Sequence, residues 1–272
     1  MAPRSRTVLM AFMVGSVPIL SDAGARHSVT KWGLRSGPGR RNPTPGDDRI
    51  KVMKKERILS AMIEIGIVPV VRTPSAESAY KAIEAIYRGG IRAAEVTMTV
   101  PGAVKVLEKL ADEFGDRMVL GAGTVLDPET CRICMLAGAQ FFVTPALNLK
   151  TIEMAQRYSR PICPGALTPT EVLTAWQSGA DIVKVFPCDN VGGAKYIKAL
   201  KGPFPQIEMI PTGGVSLTTA ADFLKAGACA VAVGGELVDA KTIKEGKYEV
   251  FEQRAGQFLE VVRKAREEMK GA

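Results

Sequence analysis

The chain has 272 residues, 46% hydrophobic and 24% charged, enough apolar material for a folded core and too much for a mainly disordered chain. No apolar run approaches the ~20 residues of a membrane-spanning helix. The net charge of +8 sits at one end: residues 1–52 hold nine basic against three acidic side chains, and the remaining 220 hold 27 against 25. The basic face of a nucleic-acid binder is therefore missing from the part that would fold.

Residues 1–52 are rich in Arg, Gly, Pro and Ser and show no sustained periodicity. VLMAFMVGSVPIL (8–20), behind Arg4 and Arg6, resembles a short signal core, and DAGA (22–25) passes for a cleavage site. The scarcity of acids also suits a transit peptide. The reading preferred here is a start codon placed too far upstream, because Met53 opens MKKERILSAMIEIG, an ordinary first helix for a cytoplasmic protein. The expected organisation is a disordered or non-native basic extension over 1–52 and one folded domain over 53–272.

From residue 53 short β-rich runs alternate with helical patterns. The expected strands are 66–72, 92–98, 118–123, 140–145, 160–165, 181–187, 207–214 and 229–235. Amphipathic stretches separate them, several ending in Gly as a helix C-terminus does, and a last helix is expected over about 247–269. Regular alternation implies parallel strands. Eight units in the 220 residues point to a (β/α)8 TIM barrel with an extra N-terminal helix, with a doubly wound sheet as the other possibility.

Cys131, Cys134, Cys163, Cys188 and Cys229 are an odd number and do not read as a disulfide framework. Cys131 and Cys134 have CxxC spacing, but no second pair accompanies them, and the one histidine, His27, lies in the extension. Zinc would need other ligands, and a Ser-His-Asp triad has no base. Reduced thiols and a cytoplasmic location are expected.

In such a barrel, reactive groups stand at the C-terminal ends of strands. In chain order these ends carry Arg72, Glu95, Thr124, Pro145, Gly165, Lys184, the run Thr212-Gly213-Gly214 and the pair Gly234-Gly235. Strand alternation puts Lys184 and Phe186 on one face, with Val183 and Val185 on the other against helices. An ammonium taken out of water loses solvation, which favours the neutral amine, a nucleophile that condenses with a ketone. Equally, the lysine can pair with a carboxylate or extend to the rim. Glu95 is a second ionisable group in an apolar strand. The two are either a structural ion pair or a nucleophile with its proton shuttle. The two Gly-Gly turns fit an anion cradle, and each alone fits a tight turn.

The strings GIVPVVR, AAEVTMTVPGA, LGAGTVLDPE, GAQFFVTPAL, CPGALTPTE, VKVFPCDNVGG, IKALKGPFP, IPTGGV and AVGGELV follow one another over residues 54–268. In order and spacing they resemble the 2-keto-3-deoxy-6-phosphogluconate and 4-hydroxy-2-oxoglutarate aldolases, class I enzymes that work through a lysine Schiff base. The resemblance implies a homotrimeric barrel that splits a 4-hydroxy-2-keto acid into pyruvate and an aldehyde, with neither metal nor cofactor. It puts the imine on Lys184 and acid–base work on Glu95. Thr124, Pro145 and Phe186 would line the pyruvate pocket, and Thr212, Gly213 and Gly214 the site for the distal end. Two positions depart from the family's pattern. Thr99 stands where many members carry a carboxylate-binding arginine, leaving Arg72 to supply that charge. Gly235, followed by Glu236, replaces a phosphate-binding serine, which weakens the expectation of a phosphorylated substrate. Two rival readings are a phosphate-binding isomerase, epimerase or transferase without a covalent lysine, and a non-enzymatic scaffold.

Overall fold

The computed structural model describes residues 53–271; the expectations for residues 1–52, including His27, fall outside the described residues. Nine strands carry the architecture: β1 Ile67–Val71, β2 Ala93–Thr97, β3 Val119–Gly123, β4 Phe141–Val143, β5 Ile162–Cys163, β6 Gly165–Ala166, β7 Val183–Val185, β8 Met209–Pro211 and β9 Val231–Val233. Ten helices alternate with them: α1 Lys55–Ile65, α2 Ala76–Arg88, α3 Ala103–Phe114, α4 Pro128–Leu136, α5 Leu149–Arg157, α6 Pro169–Gln177, α7 Ala194–Lys201, α8 Ala220–Lys225, α9 Ala240–Glu245 and α10 Glu249–Lys270. Every strand pairing is parallel, as the alternation requires. The sheet runs β5-β4-β3-β2-β1-β9 in one part and β6-β7-β8 in the other. A parallel bridge, Thr212 with Ala232, links the ends of β8 and β9.

Two expectations need correction. The fifth strand is not continuous: Pro164 divides β5 from β6, because proline has no N–H for the ladder. Its carbonyl still accepts from the Lys184 N–H at 2.9 Å, so the two pieces stay in line. The second correction is α9, a helix beyond those expected from the sequence. Its six residues are too few to show a helical period, but Asp239 caps the first turn, accepting from the Thr242 N–H at 2.9 Å.

Side-chain caps start four of the other helices. Ser75 and Ser78 form a reciprocal box at α2, and Thr168 and Glu171 do the same at α6. Asp127 opens α4 and Asn148 opens α5. These local signals agree with the hydrophobic pattern, which is why the βα units fall where the sequence puts them. No described helix is long and apolar enough to cross a membrane.

The strands are buried on both faces, and alternation sorts their side chains into two cores. Ile67, Val71, Ala94, Val96, Val183 and Val185 pack with the outer helices. Val68, Val70, Ala93, Val119, Phe141, Ile182, Ile210 and Ala230 form the inner core. Met53, Ile58 and Met62 belong to this inner cluster, so α1 lies against the N-terminal ends of the strands and stops that end of the interior. Lys55 fixes the plug, pairing with Asp181 just before β7 at 2.7 Å. The opposite, C-terminal end is where the interior opens.

Candidate active site

The inner face of the sheet changes character along its length. At its lower levels it is apolar; above these it carries Glu95 and Lys184. Glu95 is in register with Val70 on one side and Gly121 on the other. Lys184 is in register with Gly165 and Ile210. Both are buried, at 1% and 6% relative exposure, so each charge is held in a place where an unpartnered ion is costly. Burial pushes the Glu95 carboxyl above its ordinary range, opposed first by the charge of Lys184 and then by that of Arg72.

Room for Glu95 comes from Gly123. A Cβ there would stand 2.6 Å from Glu95 Oε1 and 2.7 Å from its Cδ. The carboxyl thus occupies the space a side chain at 123 would fill, which explains the second glycine of GAGT.

Above Lys184 lies a cavity of ≈ 660 Å³, opening at the C-terminal ends of the strands. Arg72, Thr124, Pro145, Lys184, Phe186, Thr212, Gly213, Gly214, Gly234 and Gly235 all line it, which brings together every sequence-assigned site residue except Glu95. Glu95 sits behind the wall, buried next to it. Phe186, two residues after Lys184, faces the same side, with its ring centroid 5.0 Å from Lys184 Nζ. Thr124 adopts φ 55, a left-handed conformation that β-branched residues avoid at a cost of about 1–3 kcal/mol. The next N–H, of Val125, donates to the Val143 carbonyl at 3.2 Å and ties this turn to β4.

Thr99, where the family's pattern has arginine, instead shares a 2.8 Å hydroxyl contact with Thr97, whose hydroxyl also donates to the Val71 carbonyl. Arg72 is the exposed cation on this side of the cavity. At the other side Gly213 and Gly214 have φ 96 and 70, a turn that glycine makes without strain. Thr212, buried just before them, has a hydroxyl with no hydrogen-bond partner among the described residues. Asp189, which the sequence reading missed as a site residue, packs on this turn: a Cβ on Gly213 would stand 2.6 Å from its Oδ1. Its only sequence signal is an acid placed directly after the KVFPC strand end.

All five cysteines are free thiols. Burial pushes Cys131 and Cys134 up to about 12 and about 11, so the CxxC pair is an inert part of the outer core.

A buried lysine and a buried carboxyl on one inner face, under a cavity at the strand ends, define the site of an α/β lyase of the Schiff-base type. The comparisons give the family. The model for "Aldolase: KDPG and KHG aldolase" matches residues 58–253. A 2-dehydro-3-deoxy-phosphogluconate aldolase of Haemophilus influenzae is 30% identical over 208 residues, covering 76% of this chain and 98% of the relative. A KHG/KDPG aldolase of Escherichia coli K12 is 33% identical over 194 residues, 71% and 91% of the two chains. The solved KDPG aldolase of Legionella pneumophila, with pyruvate captured as a covalent carbinolamine, is similar with a TM-score of 0.68 and 29% identity, covering 75% and 97%. The chain belongs to the KDPG and KHG aldolase family and is a lyase.

Proposed function

We propose that the chain is a metal-independent class I aldolase that reversibly splits a 4-hydroxy-2-keto acid into pyruvate and an aldehyde, with Lys184 as the covalent nucleophile. The candidate substrates are 2-keto-3-deoxy-6-phosphogluconate, 4-hydroxy-2-oxoglutarate and their close relatives, giving glyceraldehyde 3-phosphate, glyoxylate or a similar aldehyde. The observation that carries the reading is the burial of Lys184 and Glu95 on one inner face below the cavity.

The chemistry follows from those two groups. The Lys184 amine adds to the C2 ketone, and loss of water from the carbinolamine leaves an iminium. Glu95 supplies and removes the protons of these steps. A base then takes the C4 hydroxyl proton, the C3–C4 bond breaks into the iminium, and the aldehyde departs. Protonation of the resulting enamine at C3 and hydrolysis release pyruvate and restore the amine. Arg72 holds the carboxylate beside the ketone, and Thr124, Pro145 and Phe186 form the walls around it. Thr212, Gly213, Gly214, Gly234 and Gly235 receive the distal end.

The domain is read as an eight-unit barrel, closed by the Thr212–Ala232 bridge and by the two halves of the fifth strand. It spans residues 53–272, with residues 1–52 an extension outside it, and it works in the cytoplasm. A homotrimer is supported by an uncovered apolar face: Leu126, Ile133, Leu136 and Leu149, on α4, the loop before it and the start of α5, are all at least half exposed.

Borohydride reduction in the presence of pyruvate tests the proposal. One adduct per chain is expected, and Lys184→Ala abolishes it. An adduct of equal yield in that variant removes Lys184 from the mechanism.

A further inference from the structure

The two carboxylates at the distal side of the cavity have no part in the reaction above. Asp189 packs against Gly213 and Gly214, and Glu236 follows Gly234 and Gly235; both line the cavity. Neither forms an ion pair among the described residues. The cations in the cavity wall are Arg72 and Lys184, and the reaction proposed above uses both. Thr212, just before Gly213, also lines the cavity, and its hydroxyl oxygen is buried without a partner among the described residues.

From this arrangement we propose that the distal end of the site selects a hydroxylated, uncharged tail over a phosphorylated one, with Asp189 and Glu236 as the discriminating residues. The preferred substrate is an unphosphorylated 2-keto-3-deoxy sugar acid. The inference rests on the aldolase reading and narrows its substrate.

A hydroxyl group both donates and accepts hydrogen bonds. The Asp189 and Glu236 carboxylates line the wall as acceptors for its proton. A phosphate dianion only accepts, and it brings negative charge against two carboxylates. The two acids decide which kind of tail the wall takes. Both acids are exposed at the cavity, so each acts as a partly screened carboxylate.

The test is the specificity of the full chain. Pyruvate release is measured from 2-keto-3-deoxygluconate, 4-hydroxy-2-oxoglutarate and 2-keto-3-deoxy-6-phosphogluconate. The expected order of kcat/KM is the uncharged tail first, the carboxylate tail second and the phosphate last. Asp189→Asn and Glu236→Gln each raise kcat/KM for the phosphorylated acid relative to the unphosphorylated one by about 3–10-fold, the scale of one partly screened charge. A preference of the native chain for the phosphorylated acid overturns the proposal, as does a ratio that both variants leave within about twofold. Trapping with pyruvate alone separates this from the parent reading. Absence of an adduct sinks the aldolase itself, whereas an adduct with a phosphate preference sinks only the inference about the tail.

Discussion

Gly123→Ala isolates the positioning of Glu95. The backbone at Gly123 lies outside the left-handed region, so alanine brings no conformational strain of its own. What it brings is a methyl group 2.6 Å from Glu95 Oε1 and 3.2 Å from Cγ. Restoring an ordinary contact of 3.4 Å requires the carboxyl to retreat by roughly 0.8 Å. Catalytic geometry tolerates about 0.5 Å, and an error near 1 Å costs on the order of 10²-fold in rate. We expect kcat to fall about 10²-fold, equivalent to ~2.7 kcal/mol in the barrier, with KM changing far less. Overpacking also costs about 1–3 kcal/mol of stability, so thermal unfolding is followed in parallel. The decisive comparison is with Glu95→Asp, whose shorter side chain leaves room for the methyl group. In that background Gly123→Ala should cost little further activity, a coupling that a general loss of stability does not produce. Equal losses in both backgrounds, or full turnover in the folded single variant, refute the reasoning.

Glu95→Gln keeps the shape and removes the proton carrier, so kcat should drop by about 10²-fold or more while KM holds. The same change carries a stability signature. Burial raises the Glu95 carboxyl in the folded state, so the folded chain binds its proton more tightly than the unfolded chain. That contribution is complete at acid pH and is lost as pH rises through the folded-state value. At neutral pH Glu95→Gln should therefore melt at or above the native temperature; a clear decrease contradicts this electrostatic account. Arg72→Ala should weaken pyruvate binding by about 2 kcal/mol, the scale of a charge-assisted hydrogen bond, measured by the pyruvate dependence of trapping. Unaltered affinity excludes Arg72 as the carboxylate's partner. Leu136→Asp, on the uncovered face of α4, should yield monomers in sedimentation; an intact trimer places the interface elsewhere.

The residues most legible in the sequence were those governed by a short period. Lys184 between two valines and Glu95 between Ala94 and Val96 each stand on the strand face opposite those neighbours, and the barrel reading makes that face the inner one. Strand ends likewise indicated Arg72, Thr124, Pro145 and the glycine turns, since parallel βα units open at those ends. Asp189 obeyed no such rule. It stands on a short turn after β7, and its importance comes from a contact with Gly213 and Gly214 on the far side of α7. Gly123 was hidden for a different reason: a glycine carries no signal of its own, and its use is defined by the side chain that fills the empty space. The break at Pro164 was readable in principle, because proline cannot serve a continuous ladder. The six-residue α9 was not, because its length shows less than two helical turns.

The plug formed by Met53, Ile58 and Met62 also governs traffic. With one end of the interior stopped, everything that reaches Lys184 leaves by the route it entered. On the mechanism proposed above, the aldehyde is cut from the outward half of the substrate, nearest the opening, while the pyruvate half is still covalently anchored below. Departure is therefore sequential, aldehyde first and pyruvate second. In the synthetic direction the order inverts: pyruvate must load before the aldehyde. Product inhibition should follow this order, with pyruvate competing against the keto acid for the free amine and the aldehyde acting on the anchored enamine.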